Sequence, residues 1–139
     1  MQHSKLKIYS DGGARGNPGP AAIGILICDE KGETITEHEE VIGETTNNVA
    51  EYTAVIVALE IAKGLKAKEI DYYVDSELVA CQLSGKYRVK TPHILELFNK
   101  VKERAKCFKQ IKFTQIPRTH EKIRHVDKLV NQVLNREGY

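Results

Sequence analysis

The 139-residue sequence contains no tryptophan, one methionine and only three cysteines. Because Cys28, Cys81 and Cys107 are odd in number and widely spaced, they predict neither the disulfide framework of a secreted protein nor a zinc site. No apolar run approaches the roughly 20 residues that a membrane helix requires, and the first residues lack the apolar core of a signal peptide. We therefore expect a soluble cytoplasmic monomer without a membrane partner, in which the cysteines are core or surface thiols.

The length and an apolar content of 41% predict one compact domain over residues 1–139. Leu6, Ile8 and Ser10 alternate with other residues as in a half-buried strand, and the apolar run at 21–28 is typical of an interior strand. The pattern becomes helical over residues 48–63, and Gly64 is suited to the C-terminal cap. Continued along the chain, these patterns predict the order β-β-β-α-β-α-α-β-α, an α/β fold that begins with an antiparallel meander.

The net charge of +2 conceals a strong division along the chain. Residues 1–83 contain 7 Lys and Arg against 14 Asp and Glu, whereas residues 84–124 contain 12 against 3. A basic stretch of this kind favours a polyanionic partner. The alternative left open is that lysine-rich helices only present a solvated face.

Four carboxylates are predicted at the ends of elements, where they can converge. Asp11 is expected to close the first strand and Asp75 the fourth, while Glu51 lies in the first turn of the long helix and Asp127 opens the last helix. The helix dipole alone can explain Glu51 and Asp127, and Asn48 has capping-box spacing to Glu51. The two strand aspartates directly follow apolar segments, where Asp is disfavoured. If all four converge, they favour Mg²⁺ or Mn²⁺, and two such ions beside a basic surface indicate a nuclease.

The sequence resembles type 1 ribonuclease H over residues 5–135. Four strings occur in the order and approximate spacing of that family: DGGARGNPGPAAIG, TTNNVAEYTAVIVAL, DSELVACQLSGKYRVK and HVDKLVN. The resemblance implies a ribonuclease H-like fold, with a five-stranded mixed sheet made of a three-stranded antiparallel meander plus two parallel strands, flanked by helices. It also implies an endonuclease that hydrolyses the RNA strand of RNA/DNA hybrids and leaves 3′-hydroxyl and 5′-phosphate ends.

The same resemblance implies the metals and their ligands. Two Mg²⁺ ions are expected, with Mn²⁺ as a substitute. Asp11 would bridge both ions, Glu51 and Asp75 would complete the first site, and Asp127 would contribute to the second.

The resemblance further implies which residues contact the hybrid. The backbone is expected to approach the RNA at the glycine-rich turn, represented by Gly12, Gly13, Gly16 and Asn17. The expected minor-groove contacts are Asn47, Asn48 and Gln82. A phosphate of the DNA strand is expected to lie against Thr46 and Asn17. The grip on the polyanion is assigned to Lys86 and Arg88, because the long basic handle of several family members is absent here.

The family often carries a histidine in a mobile loop before the last catalytic aspartate, where it assists proton transfer or product release. His120, seven residues before Asp127, is the preferred candidate, because an exposed flexible loop suits a group whose pKa lies near neutrality. His125 is the competitor. The remaining histidines are expected to be structural or solvent-exposed: His3, His38 and His93.

Three alternatives remain open at the level of sequence. The chain could be a broader nuclease that also cuts double-stranded RNA, a domain derived from a reverse transcriptase, or a non-catalytic hybrid-binding module. The last is disfavoured, since a pure binder gains little from a repulsive acidic cluster. One departure from the family bears on activity: Ile123 stands four residues before Asp127, where many members have Asn or Glu.

Overall fold

A computed structural model describes residues 4–139, so His3 lies outside the described residues. In these residues the chain forms five strands and four helices. The elements in chain order are β1 (Lys5–Ala14), β2 (Gly19–Asp29), β3 (Thr34–Thr45), α1 (Asn47–Gly64), β4 (Glu69–Val74), α2 (Glu77–Leu83), α3 (Pro92–Ala105), β5 (Gln110–Gln115) and α4 (Glu121–Arg136). None of the helices between residues 4 and 139 combines the length and apolar composition needed to cross a membrane.

The strands form one mixed sheet in the order β3-β2-β1-β4-β5. The first three strands pair antiparallel, whereas β1 with β4 and β4 with β5 pair parallel. The predicted element order and the five-stranded mixed sheet are therefore confirmed. β1 is the central strand, with two strands of the sheet on each side of it.

The helices divide between the two faces of the sheet. Leu6 and Ile8 point to the face where α1 packs, and their cluster extends to α2 and α3. Tyr9 points to the opposite face, where α4 contributes most of the apolar partners. Between β1 and β4 the buried Tyr72 hydroxyl donates a hydrogen bond to Ser10 Oγ at 2.7 Å, which satisfies a polar pair inside the core.

Two glycines allow both helices to approach the sheet centre. A Cβ atom on Gly12 would lie 2.3 Å from the backbone carbonyl of Ala50 in α1. A Cβ atom on Gly24 in β2 would lie 2.5 Å from the carbonyl oxygen of Val126 in α4. Real side chains do not tolerate such distances, so each glycine permits a backbone approach that any larger residue would prevent.

The predicted ends of several elements need correction. β1 continues through Gly12 and Gly13 to Ala14, so Asp11 lies within the strand and does not close it. The strand continues because its antiparallel pairing with β2 extends to the pair Ala14–Ala21. At the other end of α1, Leu65 is the C-cap, and Gly64 is the last helical residue.

The helix starts also differ from the sequence prediction. α1 is capped by Thr46, whose Oγ1 accepts the Val49 N–H at 3.2 Å, so the predicted capping box of Asn48 and Glu51 is wrong. α4 begins at Glu121, so Asp127 lies well inside the helix and does not open it.

Candidate active site

The parallel pairing of β1 and β4 brings two aspartates together. The register pairs Tyr9 with Tyr73, where the ladder between the two strands ends. Asp11 lies two residues after Tyr9 in β1, and Asp75 lies two residues after Tyr73, directly after the end of β4; the two carboxylates line the same cavity. The sheet register therefore places both carboxylates at the point where the two strands diverge.

The two glycine contacts bring the other carboxylates to the same place. Gly12 follows Asp11 and lies against Ala50, which precedes Glu51 on α1. On β2, the register partner of Asp11 is Gly24, which lies against Val126, the residue before Asp127. Each close backbone approach thus delivers one acidic side chain from a helix to the centre of the sheet.

The four carboxylates line two adjoining cavities. The larger, of about 260 Å³, is lined by Asp11, Glu51 and Asp127 together with residues of the glycine-rich turn. The smaller, of about 10 Å³, is lined by Asp11, Glu51 and Asp75. A cavity of this smaller size holds about one water molecule or ion. Two carboxylates are shared by both cavities, as expected for residues that lie between two cation positions.

The electrostatics of the site are those of an acidic cluster with too little positive charge. Burial raises the pKa of Asp11 to about 8, and the neighbouring Asp75 and Asp127 add to the effect by repulsion. Burial also raises the pKa of Glu51 to about 7, with a further contribution from Asp75, while Arg118 acts in the opposite direction. A cation at the cluster would relieve the repulsion and favour the ionised carboxylates.

The donor set fits Mg²⁺ or Mn²⁺ in charge and in chemistry, since both ions prefer carboxylate oxygens. The raised pKa values of Asp11 and Glu51 are the observation that supports this fit, because they indicate a negative cluster that Arg118 offsets only in part. Within residues 4–139, however, no three acidic, histidine or cysteine side chains are grouped closely enough to enclose an ion. The fit therefore rests on the charge and the chemistry of the donor set.

Three further polar residues line the larger cavity, and sequence reasoning missed all of them. Arg118 Nε donates to Asp75 Oδ2 at 3.3 Å, and Arg15 and Asn131 line the same cavity. Asn131 had a usable signal, since it lies four residues after Asp127 and therefore on the same helix face. Arg15 and Arg118 had no sequence signal that distinguished them from the other basic residues.

Comparisons with known proteins agree with this geometry. A family model described as reverse transcriptase-like matches residues 9–133. The N-terminal RNase H domain of a Mycobacterium tuberculosis protein superposes with a TM-score of 0.90 at 36% identity, covering 96% of this chain and 95% of that one. LC11-RNase H1, isolated from compost and solved in complex with an RNA/DNA hybrid, gives a TM-score of 0.88 at 44% identity, covering 95% and 98%. The chain belongs to the type 1 ribonuclease H family.

The chain matches only part of the length of its curated relatives. The chain is 38% identical to a bifunctional protein of Mycobacterium tuberculosis over 132 residues, which are 94% of this chain and 36% of that protein. It is 36% identical to ribonuclease HI of Halobacterium salinarum, again over 94% of this chain but 65% of the relative. The chain thus spans between about a third and two thirds of the length of these relatives.

The glycine-rich turn of this ribonuclease H domain is held against the start of α1. Asn17 Oδ1 accepts the backbone N–H of Asn47 at 2.9 Å, and Asn47 Oδ1 accepts the N–H of Ala14 at 2.8 Å. Asn47 and Gly13 line the larger cavity, so their predicted contact with substrate remains geometrically open. Gly12 is buried, and its lack of a side chain serves the approach of α1.

Two other predicted contacts are already engaged inside the protein. Gln82 is 6% exposed, and its Oε1 accepts the Tyr52 hydroxyl at 2.6 Å, while its amide nitrogen makes no hydrogen bond within residues 4–139, so the minor-groove contact stays a prediction. Thr46 Oγ1 serves as the α1 cap. Asn48 Oδ1 is buried and has no hydrogen-bond partner among residues 4–139. The substrate roles of Thr46 and Asn48 stay predictions.

Neither candidate histidine lines the two carboxylate cavities. His120 is the N-cap of α4, where its Nδ1 accepts the Lys122 N–H at 3.1 Å, and its ring stacks on Tyr9 with centroids 5.8 Å apart. His120 is therefore half-buried at the start of the helix and not in a freely exposed loop, because Nδ1 caps α4 and the ring face packs on Tyr9. His125 Nε2 lies 2.8 Å from Glu37 Oε2 on β3.

The predicted basic grip lies apart from the carboxylates. Lys86 and Arg88 are exposed in the segment after α2. Lys86 joins Lys112 of β5 in lining a separate cavity of about 310 Å³, together with Ser84 and Thr114. This arrangement presents two ammonium groups and the Thr114 hydroxyl on one surface, which suits phosphate oxygens, while the Ser84 hydroxyl donates to the Phe113 carbonyl oxygen.

Proposed function

We propose that the chain is a metal-dependent endonuclease that hydrolyses the RNA strand of RNA/DNA hybrids and leaves 3′-hydroxyl and 5′-phosphate ends. The observation that carries the proposal is the assembly of four carboxylates from β1, α1, the residue after β4 and α4 around adjoining cavities. Membership of the ribonuclease H family supports the reaction type. The hybrid bound to LC11-RNase H1 supports the substrate class.

In this proposal Asp11, Glu51 and Asp75 hold one divalent cation, and Asp11 with Asp127 holds a second. When bound, the two cations supply activation of a water molecule and neutralisation of charge at the leaving oxygen. The protein's part is to bring the four carboxylates together and to orient them, while the cations would favour their ionised forms. Glu51, on the border of both cavities, is also placed to orient water or a neighbouring 2′-hydroxyl.

The exposed basic residues are proposed to hold the DNA strand, while the glycine-rich turn and Asn47 contact the RNA. Backbone groups and amides that reach the 2′-hydroxyls distinguish RNA from DNA at the cleaved strand. Because phosphate contacts release counterions, the affinity for hybrid should fall steeply as the salt concentration rises.

The test is a cleavage assay on an end-labelled RNA/DNA hybrid, with Mg²⁺ or Mn²⁺, beside DNA and RNA duplexes of the same sequence. We expect hybrid cleavage that needs the metal, stops in EDTA and is lost in Asp11→Asn and Asp75→Asn. Glu60→Gln is the matched control, since Glu60 is an exposed carboxylate on α1 outside both cavities. Electrophoresis against size markers with and without a 3′-phosphate identifies the product ends.

The outcomes separate the remaining candidates. A chain that binds hybrid but never cleaves it would be a binding module, and the enzyme proposal would be wrong. Equal cleavage of double-stranded RNA would extend the substrate class to duplexes of similar geometry. Full activity in Asp11→Asn would remove that carboxylate from the proposed metal site.

A further inference from the structure

Asn131 contacts the one carboxylate of the site that is itself exposed. Asp127 projects from α4 at the cavity edge, and Asn131 lies one turn after it on the same face. The amide Nδ2 of Asn131 donates to the Asp127 carbonyl oxygen at 3.0 Å and approaches Asp127 Oδ2 at 3.5 Å. Apart from its contact with Asp11, the Asp127 carboxylate has Asn131 as its side-chain hydrogen-bond donor among residues 4–139, so Asn131 restrains its orientation.

The orientation of the Asn131 amide is in turn set by Arg15. One guanidinium nitrogen of Arg15 donates to Asn131 Oδ1 at 3.2 Å and reaches the Asn131 carbonyl oxygen at 3.4 Å. The second guanidinium nitrogen donates to the Tyr139 carbonyl oxygen. Since arginine offers only donors and an ionised carboxylate only acceptors, the amide oxygen must face Arg15 and its NH₂ group must face Asp127.

The chain from Arg15 through Asn131 to Asp127 crosses from the turn after β1 to α4. Arg15 lies four residues after Asp11, so the same short segment carries the central carboxylate and the group that orients the fourth. On the other side of Asp127, Ile123 is buried and apolar and cannot supply a hydrogen bond. The polar support for Asp127 therefore comes from Asn131, four residues after it on the helix, and not from Ile123, four residues before it.

We propose that Arg15 and Asn131 are positioning residues that hold the Asp127 carboxylate towards the second cation position. This inference rests on the proposed function, because it needs Asp127 to be a metal ligand. Neither residue is required to touch the reacting atoms. Hydrogen-bonded partners behind a metal ligand commonly change metal affinity by about 10-fold or more when removed.

The first test measures Mn²⁺ binding by calorimetry without nucleic acid. We expect Asn131→Ala to raise the Mn²⁺ dissociation constant by about 3- to 10-fold, at the lower end of the usual range because the contact to Oδ2 is long. The matched control is Asn135→Ala, since Asn135 lies one further turn along α4, is exposed and does not line the cavity. Both substitutions introduce a good helix former, and circular dichroism and urea unfolding confirm that each variant folds.

The second test asks whether Arg15 acts through Asn131. Arg15→Ala alone should weaken Mn²⁺ binding by a similar factor. The double variant should be no weaker than Asn131→Ala, because residues that act as one chain give non-additive effects. Additive losses would show that Arg15 influences the metal site independently, and the proposed chain would be broken.

The third test is kinetic and separates positioning from substrate contact. Asn131→Ala should lower kcat at limiting Mn²⁺ and leave the KM for hybrid unchanged. At saturating Mn²⁺ the kcat of the variant should return towards the parent value. A raised KM without metal rescue would make Asn131 a substrate contact and overturn the proposal. Parent-like Mn²⁺ affinity in Asn131→Ala, or no Mn²⁺ binding by the parent, would also overturn it. Failure of the proposed nuclease function would give a different result: the parent protein would bind Mn²⁺ but would not cleave the hybrid.

Discussion

Replacing Asp11 by asparagine is expected to stabilise the folded protein at pH 8 while it abolishes cleavage. Asp11 lies at the centre of the acidic cluster, and burial together with Asp75 and Asp127 raises its pKa from 3.8 to about 8. A carboxylate whose folded-state pKa is raised keeps its proton up to a higher pH in the folded state than in the unfolded chain. Its contribution to stability is therefore complete below about pH 4 and is lost as the pH rises through 8.

The size of the effect follows from the same pKa interval. One pKa unit corresponds to about 1.4 kcal/mol, so the rise from 3.8 to about 8 removes at most about 5 kcal/mol of unfolding free energy at pH 8. The site opens to solvent through the larger cavity, and polarisable surroundings reduce such energies, so we expect about 2–3 kcal/mol. Asparagine has nearly the same shape and no charge, so it removes this loss without leaving a void.

The assay is urea unfolding of the parent, Asp11→Asn and Glu60→Gln at pH 5 and pH 8, in EDTA and in Mg²⁺. In EDTA the Asp11→Asn variant should exceed the parent by about 2–3 kcal/mol at pH 8 and by about 1 kcal/mol or less at pH 5. Mg²⁺ should narrow the difference at pH 8 by stabilising the parent. Glu60→Gln should follow the parent throughout. A variant that is less stable than the parent at pH 8, or a difference independent of pH, would refute the electrostatic reasoning.

Three further outcomes can be measured on the same preparations. Gly12→Ala should destabilise the fold by about 3 kcal/mol or more, because its Cβ would lie 2.3 Å from α1 backbone atoms. Gly64→Ala is the control and should be neutral or slightly stabilising, because a Cβ there would meet open space. Urea unfolding of both variants measures the difference. Tyr72→Phe should cost about 1–2 kcal/mol in the same assay, since a buried serine hydroxyl loses its partner, and an unchanged midpoint would show that water replaces it. His120→Ala should slow hybrid cleavage more than His125→Ala, and the reverse order of kcat values would transfer the proposed proton-transfer role to His125.

Much of the fold was predictable because its signals are local. The alternation of Leu6 and Ile8 marks a half-buried strand, and the dense apolar pattern of α1 marks a buried helix. The ends of elements were less predictable. Asp11 remains within β1 because β2 continues to pair beside it, and α4 begins at Glu121 because His120 caps it. Neither pairing nor a histidine cap is visible in hydrophobic periodicity.

The predicted substrate contacts show more clearly what spacing along the sequence cannot predict. Gln82 follows the family motif, and only the structure shows that its Oε1 is engaged by Tyr52, 30 residues earlier in the chain. His120 has the expected spacing to Asp127, yet its ring packs on Tyr9 and lines neither carboxylate cavity. Spacing along the chain predicts which residues can be near a site, but the packing of the intervening elements determines which of them face it.

The sequence by itself determined the order of the elements, the division between an acidic and a basic part, and the identity of the four carboxylates. These features depend on residue type and on neighbours a few positions away, which periodicity and motif spacing record directly. Only the tertiary structure decided that Arg15, Asn131 and Arg118 join the site. The physical reason is that cavities and hydrogen bonds depend on distances of a few ångströms between segments that are far apart in the chain. Here Gly12 and Gly24 permit two helices to approach the sheet closely from opposite faces.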